Sequence, residues 1–222
     1  RHHDAIDGLH IQLMIAEQIR HDDAVLVGGH RRIRCAAPAL EQRLSIEYGR
    51  LDIRIADIHR KYLAAGVDII ETNSFNANAI SLADYGLQDN AEMINFEAAQ
   101  LARKVVKEWE ENNQCSQKWV AGSVGPTNKS LSMSPTVDDP AARNITWDEL
   151  TAAYIAQMRG LWRGGVDLLL IETVFDTLNA KAALWAAEEA MKECNRRVPI
   201  MLSVTLTESG RTLSGQTLEA FL

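Results

Sequence analysis

One stretch decides the fold that this sequence predicts: residues 166–177, VDLLLIETVFDT. An apolar run of strand length ends in the carboxylate of Glu172, and a helical pattern begins at about Thr177. A run this apolar is typical of a parallel strand that is buried on both faces. Glu172 therefore lies at the carboxyl end of a strand, where parallel α/β folds carry their functional groups.

The same unit occurs twice in the chain. Residues 66–72, GVDIIET, and residues 165–173, GVDLLLIET, each contain a helix-ending glycine, an aspartate that enters a buried strand, and a Glu-Thr pair that leaves it. Further strands are predicted at residues 119–123 and 199–204, with helical patterns between them. This alternation favours a (β/α)8 TIM barrel over a doubly wound sheet, and no Gly-x-Gly-x-x-Gly turn supports a dinucleotide site. We therefore predict an α/β fold that is a partial barrel, about strands 2–5 with their helices.

Local signals mark the helix ends. Thr146 and Glu149 have the spacing of a capping box, and Asp176 has the position of an N-cap. Gly165 is expected to end the helix that begins after Thr146. Three residues of the helix after Asp176 are predicted to face the core: Leu178, Ala182 and Trp185.

The composition argues against several classes of protein. The chain has 222 residues and a net charge of −7, which disfavours nucleic acid or an anionic membrane as a partner. No apolar run approaches the roughly 20 residues of a membrane helix, and no signal peptide is visible. The three cysteines, Cys35, Cys115 and Cys194, are far apart and lack the spacing of metal ligands. We expect a protein of the reducing cytoplasm.

Longer motifs closely resemble the N-terminal homocysteine-binding domain of cobalamin-dependent methionine synthase. The resemblance covers residues 55–222 and rests on IADIH (55–59), IETNSF (70–75), GPTN (125–128), DPAARNIT (139–146), IETVFDTLNAK (171–181) and GRTLSGQ (210–216). It implies a homocysteine S-methyltransferase barrel, in which zinc held by three cysteines binds the homocysteine sulfur as thiolate. Methylcobalamin, carried on another domain, donates the methyl group. Zinc is chemically suited to this role because a free thiol, with a pKa near 8.5, is a poor nucleophile at neutral pH.

The family's zinc cysteines belong to an Asn-Cys motif and a Gly-Gly-Cys-Cys motif, and both are expected beyond Leu222. None of the three cysteines in this chain matches them. We therefore expect a truncated chain that is inactive alone, with homocysteine and the cobalamin- and folate-binding domains of a full-length enzyme as partners. The alternatives are a non-catalytic fragment, or a methyltransferase that uses betaine or S-methylmethionine. Residues 138–146 favour the cobalamin enzyme.

The resemblance implies part of an amino-acid pocket and no catalytic or metal-binding residue in this chain. Glu172 would accept hydrogen bonds from the homocysteine ammonium group, and a carboxylate at a buried strand end needs a cationic partner on physical grounds as well. A structural ion pair is the alternative. The backbone N–H groups of Val124 and Gly125 would hold the substrate carboxylate, unless they form only a Gly-Pro turn. Asn73 would line the pocket or brace neighbouring loops.

Residues 1–53 differ in composition from residues 54–222, so we divide the chain there. All seven lysines lie at Lys61 or later, whereas eight of sixteen arginines and five of six histidines lie in the first 54 residues. Plausible codons for residues 1–7 and 41–46, read one base out of frame, give Gly-Thr-Met-Met-Gln and Asn-Asn-Asp-Leu, which are similar to family segments in the same order. We interpret residues 1–53 as an aberrant, frameshifted segment that is poorly ordered or outside the barrel core. A divergent extension is the alternative.

Overall fold

The carboxyl end of each strand lies beside that of the next strand in the chain, because four parallel strands pair in sequence order. This computed structural model describes residues 53–113 and 117–222. The strands are β1 (Ile69–Glu71), β2 (Trp119–Val124), β3 (Leu168–Val174) and β4 (Ile200–Val204). The strand order lacks the reversal of a doubly wound sheet. The predicted α/β class and partial barrel topology are confirmed.

The chain divides after Gly66 into two units, which are described separately. Of the first unit, the structure describes residues 53–66, and residues 53–64 are helical. Ala56, His59 and Leu63 are buried on this helix at positions i, i+3 and i+7. Burial lowers the pKa of His59 from 6.5 to about 4. Residues 1–52 of the predicted frameshifted segment, which include Cys35, lie outside the described residues, as does Cys115.

In the second unit, at least one helix follows each of the four strands. They are α1 (Ala79–Leu82), α2 (Ala91–Asn113), α3 (Trp147–Gly164), α4 (Thr177–Cys194) and α5 (Leu218–Phe221), with 3-10 turns at Ala83–Tyr85 and Gln88–Asn90. Across residues 53–113 and 117–222, no helix combines the length and apolar character that crossing a membrane requires.

The predicted helix caps are confirmed. The Thr146 side chain accepts a hydrogen bond from the Glu149 backbone and Glu149 reciprocates, which completes the capping box of α3. Gly165 ends α3 in the left-handed conformation, with φ +96°. Asp176 caps α4 through the backbone N–H groups of Leu178 and Asn179. These caps hold the helices at fixed points relative to the strands that precede them.

Helices α2 and α3 approach each other closely at two glycines. A Cβ atom on Gly160 would lie 2.2 Å from the Glu92 carbonyl oxygen, and one on Gly164 would lie 2.5 Å from the Ala99 Cβ atom. Only glycine fits at this helix crossing, since real Cβ atoms do not approach other atoms so closely.

The buried face of α4 consists mainly of alanines. The expectation that Leu178 and Trp185 face the core is wrong, since these side chains are 38% and 45% exposed, whereas Ala182 is buried as predicted. Six small residues form the buried face: Ala180, Ala182, Ala183, Ala186, Ala187 and Ala190. Their small side chains let the helix lie close to its neighbours, and the larger residues then lie at the margin of the contact.

The sheet has two different faces. On one face, Val120 and Leu169 are completely buried. Gly122, which pairs with Leu169, lies on the same face against Leu161 of α3. The other face would be the inner face of a barrel, and strand register places Ile69, Trp119 and Met201 on it. These three side chains are exposed. Four other residues of this face are buried, so the face is exposed in part: Ala121, Ser123, Leu168 and Leu170.

The two aspartates of the repeated unit each bind a cation where their strand begins. Lys118 Nζ lies 2.8 Å from Asp68 Oδ1 before β1. Arg103 of α2 binds Asp167 Oδ2 at 2.5 Å and also the Gly165 carbonyl oxygen, while the Val120 N–H donates to the same aspartate. These bonds fix the amino end of the sheet. In a β/α barrel, this end contributes to stability and the carboxyl end carries the functional groups.

Candidate functional site

Glu172 lies near the carboxyl end of β3 on the inner face of the sheet. Register pairs Ser123 with Leu170, so the alternation of side chains places Ser123 and Glu172 on the same face. The Ser123 hydroxyl donates a 2.5 Å hydrogen bond to Glu172 Oε1. No ion pair joins Glu172 to a Lys, Arg or His in residues 53–113 and 117–222, so the alternative of a structural ion pair is not found there. Sequence analysis missed Ser123, whose role depends on strand register.

The backbone is strained immediately after Glu172. The pairing of β3 with β4 shifts register between Ile171 and Val174, and Thr173 has a φ of +59°. A β-branched residue in the left-handed region is a genuine outlier that costs about 1–3 kcal/mol. Thr72, the corresponding residue of the first repeat, is not among the described residues with positive φ. The bulge therefore belongs to the Glu172 copy alone, and bulges of this kind re-aim side chains next to active sites.

A second carboxylate, Glu71, ends β1 on the same face of the sheet. Loss of hydration around its carboxyl group and the negative charge of Glu172 raise the pKa of Glu71, although the residue keeps substantial exposure to solvent. The carboxyl end of the inner face is thus negatively charged. A cationic group placed there would lower the repulsion between the two glutamates.

Val124 and Gly125 lie where β2 ends. Val124 is completely buried, and the Gly125 N–H donates to the Phe75 carbonyl oxygen at 2.9 Å. A Cβ atom on Gly125 would lie 2.7 Å from that same oxygen, so glycine is required for the close approach of the two loops. A substrate carboxylate that used the Gly125 N–H would have to displace the bond to Phe75.

Asn73 is half-buried in the loop after β1, and its neighbours tie that loop to β2. The Ser123 N–H donates to Thr72 Oγ1 at 3.0 Å, and the Ser74 hydroxyl donates to the Ser123 carbonyl oxygen at 2.7 Å. Gln157 of α3 donates to the Ser74 carbonyl oxygen at 2.8 Å. The loop that carries Asn73 is therefore braced from both β2 and α3.

A small cleft opens beside Glu172 at this end of the sheet. It encloses about 10 Å³, room for roughly one water molecule. Gly125, Tyr154, Asp176 and Asn179 line it together with Glu172. Burial, and then the nearby charge of Asp176, raise the pKa of Tyr154, so its hydroxyl stays protonated at neutral pH. The site thus combines carboxylates with neutral hydroxyl and amide groups.

Zinc does not fit the described residues. In residues 53–113 and 117–222, no three His, Cys, Asp or Glu side chains come together in a group that could hold a metal ion. Cys194 is the last residue of α4, and a helix that returns from the carboxyl end of β3 ends near the amino end of the sheet. It therefore lies at the opposite end from Glu172. We assign no step of any reaction to zinc held by these residues.

The sequential parallel strands, with polar groups gathered at their carboxyl ends, define a protein of the β/α-barrel class. The family model for homocysteine S-methyltransferase matches residues 14–222, and the chain belongs to this family. The match begins inside the predicted N-terminal segment, and the division of the chain at residue 53 stays a prediction.

Solved structures of the Escherichia coli homocysteine methyltransferase MmuM have the same fold. The metallated form is 23% identical, with a TM-score of 0.63 over 86% of this chain and 64% of that one. The apo form is 24% identical, with a TM-score of 0.55 over 83% of this chain and 62% of that one. The chain therefore spans a little under two thirds of the length of these proteins.

Proposed function

We propose that this chain is the homocysteine-binding part of a methionine synthase, whose reaction transfers a methyl group from methylcobalamin to the homocysteine thiolate. Membership of the homocysteine S-methyltransferase family supports the substrate. The motifs in residues 55–222 that resemble cobalamin-dependent methionine synthase support the donor. The proposal includes the cobalamin- and folate-binding domains as partners, zinc as a cofactor of the whole enzyme, and a cytoplasmic location.

One observation carries the proposal: Glu172 lies half-buried on a strained bulge at the carboxyl end of β3, without a cationic neighbour in the described residues. A carboxylate in this position favours a cationic ligand that can donate hydrogen bonds. The ammonium group of an amino acid meets both requirements. Ser123 holds one oxygen of the carboxylate through its hydroxyl and leaves the other oxygen available in the described contacts.

In this proposal Glu172 accepts hydrogen bonds from the substrate ammonium, and Ser123 orients the Glu172 carboxylate. Val124 and Gly125 lie at the neighbouring strand end, where their backbone N–H groups would receive the substrate carboxylate once the Gly125 N–H has exchanged its bond to the Phe75 carbonyl oxygen. Asn73 would line the same pocket from the loop after β1. The homocysteine thiol, with a pKa near 8.5, must lose its proton before methyl transfer, and the described residues include no group to which we assign that step.

Calorimetric titration of the purified chain with L-homocysteine tests the binding role. The matched ligand is 4-mercaptobutanoate, which lacks the ammonium group. The Glu172→Gln variant should bind homocysteine about 10- to 100-fold more weakly, because it loses charge-assisted hydrogen bonds. Glu97→Gln, at an exposed position of α2, is the control and should bind as the wild type does. Equal binding of the two ligands would refute the role of Glu172.

A second candidate is a methyltransferase of the same family that takes its methyl group from S-methylmethionine or betaine. The structural similarity to MmuM is compatible with it. Because the chain is expected to be inactive alone, the two are separated in the full-length enzyme, by supplying homocysteine together with either methylcobalamin or S-methylmethionine and measuring methionine. Methionine formed only from S-methylmethionine would favour this second candidate. Homocysteine binding without turnover from either donor would favour the non-catalytic alternative.

A further inference from the structure

The connection between β2 and α3 is long and irregular. Residues 125–146 contain no helix or strand, and the first two of them, Gly125 and Pro126, line the Glu172 cleft. Connections of this length without secondary structure are uncommon in compact domains, and they are usually functional. The backbone groups of such a segment lack helix or sheet partners, so the side chains that bind them show what fixes its conformation.

Asp176 binds this connection while it caps α4. Its carboxylate accepts hydrogen bonds from the Ser130 hydroxyl, from the Ser132 N–H at 3.1 Å and from the Ser132 hydroxyl at 2.7 Å. It also accepts the Leu178 N–H at 2.9 Å, which is the capping bond. Burial acts to raise the pKa of Asp176, but these hydrogen bonds outweigh it and hold the pKa below its usual value. A cap alone requires fewer bonds than this carboxylate accepts.

Asn179, one helical turn after Asp176, binds the backbone of the same segment. Its Oδ1 atom accepts the Leu131 N–H at 3.0 Å, and its Nδ2 atom donates to the Lys129 carbonyl oxygen at 2.9 Å. Arg143, from the far part of the connection, donates to the Leu131 carbonyl oxygen at 2.8 Å. Asp176 and Asn179 are almost completely buried, so little water competes for these bonds.

The two residues lie on the cleft that Gly125 and Glu172 also line. Gly125 begins the connection, and residues 129–132 are held only four to seven positions further on. Release of residues 129–132 would free the backbone next to Gly125, which lies at the strand end beside Glu172. The hydrogen bonds of Asp176 and Asn179 thus hold the segment that directly follows the cleft residues Gly125 and Pro126.

We infer that Asp176 and Asn179 are positioning residues, which hold residues 129–132 and thereby keep the nearby strand end at Gly125 in the conformation that the proposed homocysteine site requires before substrate binds. This inference rests on the proposed function. Neither residue contacts the reacting sulfur in this account. They act through the connection, which they keep in a single conformation, and this preorganisation lowers the entropy lost when substrate binds.

Three variants of the full chain test the inference. Asp176→Asn keeps a good N-cap but replaces one acceptor oxygen with an amide nitrogen that faces the Ser132 N–H donor. Asn179→Ala removes both backbone bonds and introduces a good helix former. The control is Asn113→Ala, which removes a similar side-chain bond, to the Trp109 carbonyl oxygen at the end of α2.

The measurements are amide hydrogen exchange, thermal unfolding and calorimetric titration with L-homocysteine. In Asp176→Asn and Asn179→Ala, the Leu131 and Ser132 amides should exchange at least about tenfold faster, while amides within α3 keep wild-type rates. The dissociation constant for homocysteine should rise about tenfold in both variants and stay unchanged in Asn113→Ala. If the role were merely structural, the exchange rates and the dissociation constant would instead change in proportion to the loss of melting temperature.

The outcomes separate the inference from the proposed function. Absence of homocysteine binding to the folded wild-type chain would overturn the proposed function. If the wild type binds and the variants bind equally well, or if exchange at Leu131 and Ser132 does not change, the inference alone is overturned. Should Asp176→Asn fail to fold, Asn179→Ala carries the same test, because it leaves the capping carboxylate in place.

Discussion

Gly160 offers the sharpest test of how the helices pack, because local and tertiary effects predict opposite signs for its replacement by alanine. Gly160 lies inside α3, where Gly→Ala should stabilise a helix by about 1 kcal/mol. The added Cβ atom would lie 2.2 Å from the Glu92 carbonyl oxygen and 2.9 Å from the Asn95 Cβ atom. Both contacts belong to α2, and the oxygen is a backbone atom that cannot turn away.

The steric contact between α2 and α3 has a larger effect on stability than the gain in helix propensity. Relief of the contact requires the two helices to separate by about 1 Å, and overpacking of this kind costs about 1–3 kcal/mol, with further dispersion energy lost along the opened interface. Subtracting the gain in helix propensity leaves a net destabilisation of about 1–2 kcal/mol. For a protein of this size, each kcal/mol lowers the melting temperature by about 2–4 °C.

Urea and thermal unfolding of Gly160→Ala measure this effect. Ala152→Gly, at an exposed position of the same helix, is the control and should destabilise by about 1 kcal/mol through propensity alone. A Gly160→Ala protein that is as stable as the wild type or more stable would refute the packing argument, since propensity would then outweigh the contact with Glu92.

Three further predictions concern local features. Thr146→Ala removes the capping box of α3 and should lower the free energy of unfolding by about 1 kcal/mol, measured by urea denaturation; an unchanged midpoint would contradict the role of the cap. Because burial lowers the pKa of His59 to about 4, the unfolded state takes up a proton first as pH falls. Stability should therefore decrease by up to about 3 kcal/mol between pH 6.5 and 4, and a His59→Gln variant with an equally steep pH dependence would disprove this. Thr173→Gly should keep or raise the melting temperature by relieving backbone strain but weaken homocysteine binding, whereas Thr173→Ala keeps the strain; a clear loss of stability only in the glycine variant would count against strain at this position.

Much of the fold follows from local sequence signals. The apolar run before Glu172 and the capping residues Thr146 and Asp176 depend on neighbours within a few positions, so a pattern in the sequence is sufficient to place them. The sequential alternation of strands and helices likewise predicts the parallel order, because the connections allow few topologies. Glu172 was found in this way, and its role in ligand binding stays a prediction.

Long-range features could not be predicted in the same way. The bond between Ser123 and Glu172 joins residues 49 positions apart and depends on strand register. The bulge at Thr173 has no sequence signal, since the first repeat carries the same Glu-Thr pair without a positive φ. Trp185 was misplaced because its size suggested burial, whereas close helix packing selects alanine on that face of α4.

The two aspartates at the strand entries have a consequence for how this protein can change over evolutionary time. Asp68 and Asp167 secure the sheet at one end through Lys118 and Arg103, about one strand length away from the glutamates. Because the anchoring groups and the ligand-facing groups occupy opposite ends of the same strands, substitutions at one end are buffered from the other. In the second occurrence of the repeated unit, a strained terminus at Thr173 is thus combined with an anchored strand entry at Asp167. The two copies share the anchoring aspartate and the Glu-Thr pair, and they differ in the backbone conformation of the threonine.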